Sequence, residues 1–193
     1  MDGFNGKFGG IICNDKEIFP VKIDMNSPKE SLFAMREYRE WFVHQAQTLP
    51  VDVALGNDEW SLIEVIEHLV AVEKALLMMM MRASQPMPER DDEANKKFNK
   101  YSEILRNGTK YEVPNAAVLP ARQTELHQLL ADWEKTQSKL ASMIESGKIP
   151  SDKFMVFDHP VFGPMNAHES IHFLADHLVY HRKRIEELMA VQA

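Results

Sequence analysis

With a single cysteine, Cys13, the chain can close no disulfide within itself and can assemble no cysteine-based zinc site. Both restrictions fit a reducing cytoplasm, which is the expected location. Positive charge is in short supply as well. The 22 Lys and Arg face 29 Asp and Glu, the net charge is −7, and the basic residues are scattered along the chain. A phosphate backbone would find no basic face, so no nucleic-acid partner is expected. Long apolar runs are missing too. The longest, near residues 75–81, falls well below the ~18 residues that cross a bilayer, and no membrane partner is expected. Residues 1–10 are polar and glycine-rich rather than basic and then apolar, the wrong order for a signal peptide.

Glycine is sparse, and its placement is informative: four of the eight lie within residues 3–10. Short apolar pieces follow at 11–13 and 17–23. Residues 1–25 therefore read as a glycine-rich arm, a weak hairpin or a loose segment, ahead of a domain at 26–193. With 45% hydrophobic and 26% charged residues over 193 positions, one globular domain with a real core is the natural size.

From Ser27 onward the pattern is helical. Ser27-Pro28-Lys29-Glu30 offers a cap hydroxyl, a proline at the first helical position and a glutamate three residues past the cap. Leu32, Met35, Arg39, Phe42, Val43 and Ala46 recur at helical spacing, and Pro50 stops the run. Ser61 and Glu64 form a second capping box. The helix after it is apolar on nearly every side to about Arg82, so several neighbours must bury it. Prolines at 86 and 88 break the chain. A short amphipathic helix is expected at 94–105, an extended linker at 110–120 and a third long helix at about 121–145 with Gly147 as its C′ residue. Residues 149–164 read as a loop, and a fourth long helix starts near Asn166. The expected fold is all-α: a four-helix bundle with a long crossover connection and a short extra helix.

Five of the eight histidines lie between His159 and His181, and helical geometry sorts them. At ~100° per residue, with His177 as zero, Ile171, Leu174, Leu178, Ile185 and Leu188 occupy the arc from ~20° to ~120°. His181 falls at ~40°, inside the arc, with His177 at its margin. His168 and His172 have the same four-residue spacing but project to ~180° and ~220°, away from the core. One HxxxH pair thus faces inward, and both rings can reach one ion. Two ligands rarely suffice. His68, flanked by Val65, Leu69 and Val72 on the second helix, is the best-placed third, ahead of His44 and His127 among their polar neighbours. Buried imidazoles bonded to main-chain carbonyls, without metal, would satisfy the same pattern.

Four stretches in order resemble the DinB/YfiT-like family of metalloenzymes. They are Trp60-Ser61-Leu62-Ile63-Glu64-Val65-Ile66-Glu67-His68-Leu69 with Glu73; Val113-Pro114 through Leu119-Pro120; His159-Pro160-Val161-Phe162-Gly163-Pro164-Met165-Asn166; and Phe173-Leu174-Ala175-Asp176-His177 with Tyr180-His181-Arg182. The resemblance implies a four-helix bundle, a homodimer, and a divalent ion such as zinc or nickel held by His68, His177 and His181. It also implies chemistry on a small-molecule substrate, either as an S-transferase using a low-molecular-weight thiol or as a hydrolase. The arm at 1–25 lies outside the resemblance.

A three-histidine site with an open position has the form of a catalytic metal site. The alternative class is a non-catalytic helical protein that binds a small ligand or serves in stress response. No catalytic or substrate-binding residue stands out beyond doubtful candidates. Glu64 is a potential general base and equally a capping residue, and Arg184 is a potential receptor for a carboxylate or an ordinary exposed arginine. The methionines at 78–81 could line a pocket, fill the core or form a dimer interface.

Overall fold

The structure is a computed structural model that describes residues 27–55, 59–108, 119–120, 124–160 and 162–192. The expectations for the arm at 1–25 and for most of the linker at 110–120 fall outside them. Five helices and four very short strands are described: α1 Pro28–Thr48, α2 Leu62–Arg82, β1 Gln85–Pro86, α3 Asp92–Arg106, α4 Leu126–Glu145, β2 Phe154–Met155, β3 Phe157–His159, β4 Gly163–Met165 and α5 Ala167–Gln192. The protein is all-α, as its periodicity predicts.

Each helix start has a local cause. The Ser27 hydroxyl accepts from the Glu30 N–H, with Pro28 at the first helical position. Both halves of the Ser61–Glu64 capping box are present. A third box, not anticipated, opens α5: the Asn166 side chain accepts from the Glu169 N–H at 2.9 Å, and the Asn166 N–H donates to Glu169 at 3.0 Å. The third long helix begins later than its sequence suggests, at Leu126 rather than near residue 121. Glu125 at its N-cap makes no side-chain cap bond. Thr124 lies outside the helix and donates instead across to Glu67 of α2 at 2.9 Å.

The four long helices form a ring in the order α1–α5–α2–α4, each packing on the next and α4 closing on α1. α1 and α2 therefore sit nearly diagonal, although they are consecutive in the chain. α3 packs on α5. The apolar stripes meet in the middle, where Met35, Phe42, Leu62, Ile66, Trp133, Ile171, Leu178 and Ile185 are almost wholly buried. The segment expected to be a plain loop at 149–164 carries short strands instead: β3 pairs antiparallel with β4, and β2 pairs antiparallel with β1 from the proline-broken stretch after α2. At two or three residues each they are too short for alternation to be legible. Gly163, with φ 75°, supplies the left-handed residue where β4 leaves the turn.

Removing the unexpected cap should loosen the start of the ligand-bearing helix. Asn166→Ala is expected to cost about 1 kcal/mol in urea unfolding. An unchanged midpoint would mean that the box contributes nothing.

Candidate metal centre

The capping box that starts α2 also aims it. The Ser61 N–H and hydroxyl both donate to Glu64 Oε2, at 2.7 and 2.8 Å, and His68 follows one turn beyond Glu64, its side chain buried. α5 packs against α2 and brings His177 and His181, one turn apart, to meet it. The His68 and His177 Nε2 atoms lie 3.2 Å apart, and those of His181 and His177 3.0 Å. One ligand nitrogen from each of the three rings lies within 4.8 Å of the others. His168, by contrast, is exposed, and so are His44 and His127.

Three ring nitrogens pointing at one spot is an unusual use of a protein interior. A proton between two of them serves one contact only, because an N–H has a single hydrogen to give. A second proton would place like charges together. Accordingly, burial first and then the neighbouring His181, His68 and His159 hold the His177 pKa well below the ordinary imidazole range. Burial and His68 do the same for His181. Neutral imidazole is the ligand form. Two nitrogens bound tetrahedrally at ~2.0–2.1 Å from one zinc-sized ion lie ~3.3 Å apart, close to the spacings found. The donor set therefore fits a divalent cation.

Aromatic rings enclose the cluster. The Trp60 ring lies 5.0 Å from that of His68 and stacks with that of His181 at 6.3 Å and 8°. Phe173 stacks on His177 at 5.5 Å and 11°, and Tyr180 meets His181 edge-on at 4.9 Å. An ion pair ties the Trp60 segment to α5, with Arg184 contacting Glu59 at 3.3 Å and Glu187 at 2.7 Å. Arg184 thus has two carboxylate partners of its own. Glu64 likewise serves as the capping residue. Of the four methionines at 78–81, only Met80 joins the core.

A family model described as the DinB superfamily matches residues 32–185. The chain belongs to the DinB superfamily. Searches of curated proteins and of solved structures return no match. Within this DinB-superfamily bundle, three features near the cluster escape the sequence pattern. The β3–β4 hairpin delivers a fourth histidine: the Phe162 N–H donates to His159 Nδ1 at 3.3 Å. The His159 ring packs on Phe162 at 4.7 Å and on Phe173 at 5.2 Å. Beside His177, Asp176 is fully buried, accepting from Ser102 and Arg106 of α3, both at 2.5 Å. His172 does turn away from the cluster, but toward this carboxylate at 3.2 Å and Arg106 at 2.5 Å, because α3 covers that face of α5.

His159 supplies a pH test. Burial lowers its pKa to about 4, below that of an unfolded histidine. Its contribution to stability is therefore present above ~pH 6.5 and is lost as pH falls toward the folded value. His159→Phe should flatten that acid-side loss by on the order of 1 kcal/mol, allowing for partial exposure. Parallel urea curves at about pH 6.5 and pH 4.5 measure it. Equal losses in the two proteins would contradict the assignment.

Proposed function

We propose that this chain is a metal-dependent enzyme in which His68, His177 and His181 hold one divalent ion, zinc or nickel. Its reaction is the transfer of a low-molecular-weight thiol to a small electrophilic substrate. The observation that carries the reading is the convergence of the three Nε2 atoms, 3.0 and 3.2 Å apart, inside an aromatic enclosure. Three neutral nitrogen ligands leave a coordination position open, the arrangement of catalytic rather than structural sites. When bound, the ion supplies Lewis acidity that keeps a thiol or water ionised near neutral pH.

The chain's own residues set the conditions for that chemistry. Burial favours the neutral form of His177 and His181, the form that ligates a cation. Trp60, Phe173 and Tyr180 pack the imidazoles into fixed orientations and exclude water from their faces. The choice between thiol transfer and hydrolysis rests on what accompanies the histidines. Hydrolysis calls for a general base beside the ion. Among the described residues the cluster contains no carboxylate, and Glu64 is engaged at the helix start. A thiol, with an ordinary pKa of about 8.5 against about 15.7 for water, would lose its proton to solvent on binding a cation and needs no such base, which favours transfer. Met78 and Met81, 52% and 60% exposed near the end of α2, support the homodimer as the working assembly, and the single cysteine supports a reducing cytoplasm.

Protein purified without chelator is expected to carry close to one divalent ion per chain, and added zinc or nickel should raise the melting temperature of stripped protein. His177→Ala should abolish both effects. Metal analysis finding none, with no thermal shift, would end the proposal. A panel of glutathione, bacillithiol and mycothiol with a chromogenic electrophile separates the chemistries. Turnover should need both thiol and metal and fall at least 100-fold in His68→Ala. Metal-loaded protein that turns over ester or amide substrates without thiol would point to hydrolysis, and one that binds metal without any turnover would point to a binding protein.

A further inference from the structure

On the α2–α4 seam, away from the histidines, a second buried polar group has no part in metal binding. Glu73, on α2, is 2% exposed, and Gln137 of α4 is 1% exposed. Trp133 Nε1–H donates to Glu73 Oε1 at 2.8 Å, and Gln137 Nε2–H donates to the same oxygen at 3.2 Å. The other oxygen of each group, Glu73 Oε2 and Gln137 Oε1, is buried with no protein partner. These are two acceptors on two side chains already joined by one hydrogen bond, and a single hydrogen between them would serve both.

We infer that Glu73 is held as a neutral carboxylic acid whose Oε2–H donates to Gln137 Oε1, closing a two-bond acid–amide ring that clips α2 to α4. One proton satisfies both orphan atoms. The ionised alternative leaves a carboxylate oxygen bare in an apolar interior, with Gln137 Oε1 still unpaired. The groups around it give little compensation. α4 presents uncharged Trp133 and Gln137. α1 presents Arg39, which makes no hydrogen bond to Glu73: its two terminal nitrogens hold Glu40 and Glu134, and its buried Nε has no hydrogen-bond partner either. Desolvation, opposed only in part by the Trp133 and Gln137 bonds and by Arg39, raises the Glu73 pKa to about 7. The clip is therefore closed in mild acid and opened by alkali. A folded pKa above the unfolded one means that the contribution is full below the unfolded value and declines as pH rises through the folded one.

The full-length protein, as purified, can be tested by infrared difference spectroscopy. At about pH 6, where ordinary carboxyls are ionised, a neutral-acid carbonyl band is expected. It should vanish as pH is raised to about 9 and be absent from Glu73→Gln. Across about pH 5 to pH 8 the folding equilibrium constant of the wild type should fall relative to that of Glu73→Gln by about 50- to 100-fold. In Gln137→Met the band should persist but move to higher frequency, as for an acid without its amide partner. No neutral-acid band in the wild type, or a band that survives Glu73→Gln, overturns the inference and assigns Glu73 as a carboxylate facing Arg39. A band with unchanged frequency in Gln137→Met overturns the acid–amide ring. Should Glu73→Gln fail to fold, the wild-type titration and Gln137→Met decide alone.

Discussion

Helix α5 has to satisfy a different chemistry on every side, and that constraint organises the rest of the bundle. Its apolar arc goes to the core, its Asp176 face to α3, its Arg182 over the Tyr38 and Trp41 rings of α1 at 5.9 and 5.2 Å, and its His177–His181 edge to α2. Its first turn is pinned by Asn166 and Glu169, and Glu169 in turn holds Arg90. A helix bound this way on all sides cannot rotate by even part of a turn without breaking several contacts of unlike kind. The packing of the helix thus fixes where the His177 ring stands, its Nε2 3.2 Å from that of His68 and 3.0 Å from that of His181. That is preorganisation for a ligand.

Among the described residues the three buried carboxyl groups each have hydrogen-bond partners, as a low-dielectric interior demands. Asp176 has Ser102 and Arg106, Glu64 has the Ser61 cap, and Glu73 has Trp133 and Gln137. The histidine cluster is the exception in kind. Its nitrogens face one another instead of complementary donors, an arrangement that a cation resolves and a proton does not. The burial that disfavours charged imidazoles leaves His177 and His181 in the neutral form, which is the form that can ligate a metal ion.

How much of this was legible beforehand depended on what carried each signal. Capping residues at Ser27 and Ser61 and the inward arc of Ile171, Leu174 and Leu178 are properties of one helix with itself, so periodicity reads them directly. His177 and His181 separate from His168 and His172 by the same arithmetic. His159 was hidden because its approach depends on a three-residue hairpin pair whose strands are too short to alternate. Periodicity alone assigns His172 to water, because nothing in its own helix says that α3 lies over that side. The start of α4 was misplaced because Thr124, helical by its neighbours, finds a better partner in Glu67 across the bundle.

The chain by itself determined which segments are helical, which stripe of each turns inward and which two histidines share a face, because all three follow from local backbone geometry and hydrophobic spacing. Only the tertiary structure decided that α1 and α2 lie diagonally, that His68 meets that pair from another helix, and that Glu73 is sealed against Gln137 and Trp133. Those outcomes depend on which helix lies beside which. That is settled by the joint packing of side chains far apart in sequence, and no single segment contains it.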